Sequence, residues 1–126
     1  MAKQAIAPAN VHRARGYSHA IKAGNTVYVA GQIGLDESGN VVGKDIVTQI
    51  AQAYENMKRV LEASGARMTD IVKLNFYCLN AEDLRQTGDV RKKYFGDHKP
   101  ASTAVTVSKL GVPGTIVEVE AIAVID

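Results

Sequence analysis

From Ile116 to Val124 the chain reads Ile-Val-Glu-Val-Glu-Ala-Ile-Ala-Val, a strict apolar/polar alternation at its start in a β-prone run. An extended strand sends alternate side chains to opposite faces. Val117, Val119, Ala121, Ala123 and Ile125 therefore share one wholly apolar face, and Glu118 and Glu120 share the other. Burying an ionised carboxylate without a partner costs several kcal/mol. The apolar face must belong to the core, and the acidic face must meet water, a neighbouring subunit or a ligand. A slip of one residue would bury both carboxylates, so the register of this strand is fixed.

The rest of the chain supplies partners for that strand. Tyr17 to Lys22 and Thr26 to Ile33 read as strands around a Gly24-Asn25 turn. Ile46, Ile50, Ala53, Tyr54, Met57, Val60 and Leu61 form the apolar stripe of a helix, with Asp45 as N-cap and Gly65 as its stop. Asp70 to Leu79 is a strand with Val72, Leu74, Phe76 and Cys78 on one side. Asn80 caps a second helix running through Phe95, in which Gly88 is a weak point. Strands Ala101 to Leu110 and Thr115 to Ile125 flank the turn at Gly111-Val112-Pro113-Gly114. The order is β-β-α-β-α-β-β, with room for a further N-terminal strand. It predicts an α+β fold, a mixed sheet with both helices on one face, in one domain spanning residues 1–126. The uncovered face would carry Lys73, Asn75, Tyr77, Ser102, Thr106, Glu118 and Glu120 between Ile122 and Val124. Such a half-polar surface suits a subunit interface with clefts.

Composition narrows the partners. A formal charge of +2 without a concentrated basic stripe argues against nucleic acid. One cysteine forms no intrachain disulfide and fits a reducing compartment. No apolar run approaches the ~20 residues of a membrane span, and Met1 to Asn10 lacks the apolar core of a signal peptide. The expected location is cytoplasmic. His12, His19 and His98 show no metal-ligand spacing, and neither a metal nor an organic cofactor is expected.

Several motifs, in order, resemble the RidA family (also called YjgF or L-PSP). They are Gly16-Tyr17-Ser18-His19-Ala20, Ala30-Gly31-Gln32-Ile33, Pro100-Ala101, and Val117-Glu118-Val119-Glu120-Ala121. The resemblance spans nearly the whole chain and implies a chorismate mutase-like fold, a homotrimer, and enamine or imine deamination in clefts between subunits. It places Glu118 as the residue that activates water, Tyr17 as a positioning group in the same cleft, and Ser102 and Thr103 where relatives grip the substrate carboxylate. Deaminating members carry an arginine where this chain has Ser102. A serine offers one neutral hydrogen bond where arginine offers a charge-assisted fork.

The residues allow plainer readings. Glu118 is also explained as an interface carboxylate, Glu120 as a structural ion-pair member and Tyr17 as packing. Gly31 and Gln32 could present backbone N–H groups to a ligand, or mark a bulge or a tight subunit contact. Cys78 is expected in the core and His19 at the surface, and Lys73 could supply a substitute cation or be a solvated lysine. Two function classes follow. One is a small-molecule hydrolase releasing ammonia from an enamine or imine; the other is a non-catalytic ligand-binding or interaction module on the same trimer. Endoribonuclease activity, described for some relatives, finds no support in the weak basic character.

Overall fold

The computed structural model of the chain describes residues 2–126. Six strands form one sheet: β1 (Lys3–Ile6), β2 (Ala20–Ala23), β3 (Thr26–Ile33), β4 (Ile71–Cys78), β5 (Ala101–Thr106) and β6 (Val117–Val124). Their spatial order is β1-β2-β3-β6-β4-β5, antiparallel throughout except for the parallel pair β4–β5. The strand with the alternating pattern, β6, is central and pairs on both sides. Helix α1 (Ile46–Ala63) carries the crossover from β3 to β4, and helix α2 (Gly88–Phe95) lies in the crossover from β4 to β5. Both helices pack on one face of the sheet, the two-layer α+β arrangement expected from the order of elements.

The core lies between that face and α1. Val117, Val119, Ala121 and Ala123 of β6 are buried with Val27, Leu74 and Cys78 against Ile50, Ala53, Tyr54, Met57, Val60 and Leu61 of α1. Asp45 caps the helix by accepting from the Thr48 N–H at 3.0 Å, and the chain leaves it through Gly65 at φ +83°. Two buried amides on α1 fasten the ends of the central strands. Asn56 Nδ2 donates to the carbonyls of Ile33 and Leu35, at 3.2 and 2.9 Å. Gln49 Nε2 donates to Gly114 O at 2.9 Å, while its Oε1 accepts from Ile116 N–H at 2.8 Å. The turn before β6 is thus tied to the helix. Gly34 makes this approach possible, because a Cβ there would lie 2.9 Å from Gln49 Cα.

Several elements differ from the sequence reading. The further N-terminal strand for which the order left room is present as β1, but β2 begins only at Ala20, so Tyr17 stands in the irregular segment before it. The second helix is divided: Ala81–Thr87 is a 3₁₀ stretch, capped by the Asn80 side chain on the Glu82 N–H, and α-helix starts at Gly88. In β4 the pairing with β6 shifts between Ile71 and Lys73, so Ile71 is buried and Val72 is 47% exposed. The strand at Ala101 ends at Thr106 rather than Leu110. Its parallel register sets Ser102 beside Leu74 and Thr103 beside Asn75. Paired residues share a face, so Thr103 and Val105 lie on the uncovered face, and Ser102 and Thr106 point to the helix side, contrary to the sequence reading. Among the described residues, no helix is long and apolar enough to cross a membrane.

Candidate active site

A bulge in β3 builds the cleft. Val29 pairs with Ala121 and Gln32 with Val119, so Ala30 and Gly31 together oppose Glu120 alone. The extra residue brings the Gly31 backbone against the Glu118 side chain: a Cβ on Gly31 would overlap Oε2 and fall 2.7 Å from Cδ. Tyr17, Ala30, Gly31, Ile33, Val112 and Glu118 surround a cleft of about 340 Å³, with Gly111 at its margin. Gln49 holds the turn from which Gly111 and Val112 reach it.

The two glutamates of β6 have different surroundings. Glu120 accepts from Tyr77 Oη at 2.8 Å and Asn75 Nδ2 at 3.1 Å, a closed cluster with neutral donors rather than the ion pair considered from sequence. That hydrogen bond is the main reason the Tyr77 phenol is pushed above its ordinary pKa. Glu118 is half-buried and bonds to no side chain or loop among the described residues. Burial raises its carboxyl pKa above the ordinary value, and the nearby charge of Glu120 raises it further. The Tyr17 phenol is likewise raised, by burial first and then by the charge of Glu118. One carboxylate is therefore satisfied within the chain and the other is left to the cleft.

Gln32 takes no place in the cleft lining. It is fully buried, with Nε2 donating to Ala30 O at 3.2 Å and lying 3.1 Å from His19 Nδ1. It braces the bulge from behind. His19, expected at the surface, is only 2% exposed, and its Nε2 lies 2.7 Å from His12 O. A neutral ring protonated on Nε2 satisfies both contacts. Tyr17 packs edge-on against His19, centroids 5.7 Å apart, so the Gln32–His19 pair supports the phenol that reaches the cleft. The spacing Tyr17-Ser-His19 was the only sequence hint of this brace. Cys78 is buried, its thiol pKa raised mainly by burial.

Ser102 and Thr103 do not line the Glu118 cleft of their own chain. They lie on β5, which is separated from β6 by β4 and exposed along its full length. Ser102 Oγ donates to Pro100 O at 3.0 Å. Lys73 Nζ donates to Thr103 Oγ1 at 3.0 Å on the uncovered face. The structure thus joins Glu118, Tyr17 and Gly31, sets Gln32 behind them, and holds Ser102 and Thr103 apart.

A sheet with two helices on one face and a strand-bulge cleft around an unpaired glutamate defines a RidA-type protein. The sequence model of the Endoribonuclease L-PSP family matches residues 7–125. A RutC family protein from Pyrococcus abyssi is 42% identical over 125 residues, 98% of each chain. A 2-iminobutanoate/2-iminopropanoate deaminase from Dermatophagoides farinae is 43% identical over 111 residues, 87% of this chain and 86% of that one. The solved structure of a Rid-family protein from Yersinia pestis superposes with a TM-score of 0.92 at 35% identity, covering 98% of this chain and 100% of the other. The chain belongs to the RidA (YjgF, L-PSP) family.

Proposed function

We propose that this protein is a small-molecule hydrolase of the enamine/imine deaminase type, one RidA-like domain per subunit, working as a homotrimer with a cleft at each subunit boundary. The observation that carries this reading is the Glu118 carboxylate, half-buried, without a side-chain partner among the described residues and pressed against Gly31 in a cleft shared with Tyr17. A carboxylate with a raised pKa is suited to moving protons near neutrality. Water oxygen bonds to the imine carbon as Glu118 takes the water proton and delivers it to nitrogen. The resulting hydroxyl proton then passes by the same carboxylate to the amino nitrogen. The C–N bond breaks, a carbonyl forms, ammonia leaves and Glu118 is ionised again. Tyr17 Oη holds water or the substrate nitrogen in line.

The uncovered sheet face and the exposed edge at β5 support an oligomer, and the likeness to the RidA family supports a trimer. Clefts at its boundaries would bring Ser102 and Thr103 of one subunit to the Glu118 cleft of the next. The deaminase relatives support the chemistry, and the serine at position 102 limits it. One neutral hydrogen bond contributes about 1 kcal/mol, roughly half what a charge-assisted bond supplies. Ammonia release from short 2-imino acids is therefore expected to be slow, and Ser102→Arg is expected to raise it roughly tenfold or more. Imines generated in the cuvette by an amino-acid oxidase, with ammonia detected directly, provide the assay. A parent protein as fast as an arginine-bearing relative would remove the argument from Ser102. No release above buffer from either protein would favour the second reading, a ligand-binding module on the same trimer, which the loss of the arginine also suits.

A further inference from the structure

The Glu118 cleft does not end at Tyr17. A second compartment of about 400 Å³ shares Tyr17, Ile33 and Val112 with it and is bordered by His12, Arg13 and Arg15. Both arginines are exposed, and neither forms an ion pair among the described residues, where the arginine pairs involve Arg59 and Arg67. Glu37, which lines a neighbouring hollow together with Arg13, is engaged by Arg59 at 3.4 Å. His12 is only 5% exposed, yet its Nδ1 has no hydrogen-bond partner. Buried polar atoms are almost always satisfied, so this enclosed atom is an exception that the structure leaves beside the compartment. Burial and the neighbouring His19 lower the His12 pKa, so the ring is a neutral hydrogen-bonding group. One wall thus offers a free carboxylate, and the adjoining one offers two guanidiniums that form no ion pair among the described residues.

We propose that the substrate is an imine carrying an oxyanion, carboxylate or phosphoryl, remote from the C=N bond, with that group held by Arg13 and Arg15 while the imine carbon lies at Glu118. The inference rests on the Glu118 reading and supplies its substrate class. Guanidinium forks match the two oxygens of a carboxylate and equally a phosphoryl group. The anchor missing at Ser102 is then replaced by cations across the Tyr17 ring, which favours longer substrates over short 2-imino acids. Because Arg13 and Arg15 are exposed, their hold weakens as salt is added.

Calorimetric binding of stable oxo analogues tests this without any turnover. 2-Oxoglutarate carries a remote carboxylate, 3-phosphonopyruvate a remote phosphoryl group, and 2-oxobutanoate neither. The parent protein should bind at least one of the first two more tightly than 2-oxobutanoate, and the tighter one identifies the oxyanion. Arg13→Gln with Arg15→Gln should weaken that ligand roughly tenfold or more and leave 2-oxobutanoate unchanged. Arg91→Gln with Lys92→Gln, an equal charge change on α2, should have no effect. Unchanged affinity in the Arg13/Arg15 variant overturns the proposal, as does an equal loss in the α2 control or no binding of either oxyanion analogue by the parent. Binding that depends on the arginines in a protein that releases no ammonia would sink the hydrolytic reading and leave this anion site standing.

Discussion

Glu118→Gln should lose ammonia release by about a hundredfold or more, the scale of a lost general acid–base group, while sedimenting as the same oligomer as the parent. The amide keeps the size and hydrogen-bonding capacity of the carboxyl, so the cleft keeps its shape. Stability should move the other way. The folded carboxyl has a raised pKa, chiefly through burial, so the folded chain binds this proton more readily than the unfolded chain does. The group therefore subtracts stability as pH climbs from the ordinary glutamate value through the folded one, and the full penalty stands above both. Glu118→Gln removes the penalty. Its melting temperature should exceed the parent's at neutral pH, and the gap should close in acid. A variant that is inactive and also less stable at neutral pH would mean that Glu118 is a structural partner and not a reserved proton carrier.

Gly31→Ala should cost more activity than its single methyl suggests. The backbone at Gly31 is not in the left-handed region, so alanine carries no conformational strain. Its Cβ would overlap Glu118 Oε2 and fall 2.7 Å from Cδ and 2.9 Å from Cγ, so the whole side chain must turn about its Cα–Cβ bond toward the open cleft. The fold should therefore survive with a cost below about 1 kcal/mol. The displaced carboxylate should lower hydrolysis by roughly tenfold to a hundredfold, the range expected for a misplacement near 1 Å. Gly34→Ala is the contrast. There the added carbon meets Gln49 Cα at 2.9 Å, a helix backbone that cannot swing, so the cost should appear as about 1–3 kcal/mol of stability. Thermal melts and ammonia release measured on both variants check the pair. Full activity in Gly31→Ala would show that the position of Glu118 against the bulge does not matter to the chemistry.

What could be read from the chain follows from periodicity. The β6 alternation placed Val117, Val119, Ala121 and Ala123 inside and Glu118 on the other face, and the α1 stripe from Ile46 to Leu61 packs as its spacing required. What escaped depends on partners distant in sequence or on one extra residue in a strand. The shift at Val72 reverses its side chain without any change in composition, and β5 shows no period strong enough to set its register against β4. Gly88 was a visible weak point, but nothing local announced that the stretch before it would tighten into 3₁₀ form. Nothing local marks Gln32, Gln49 and Asn56 as buried, because their partners come from other elements. His19 is buried for the same reason, held between His12 O and Gln32. Of the residues that the sequence singled out, Glu118, Tyr17 and Gly31 come to one cleft while Ser102 and Thr103 lie elsewhere in the chain, and the Gln32–His19 brace left no local trace beyond the spacing of Tyr17 and His19.

The pH dependence of ammonia release by the parent protein, measured on imines formed in place from a panel of amino acids, tests the central claim most directly. The rate should rise above buffer and climb with pH through one midpoint higher than that of an ordinary glutamate, as the Glu118 carboxylate forms. That limb should vanish in Glu118→Gln. A rate no greater than buffer at every pH, or an identical profile in the variant, would contradict the account.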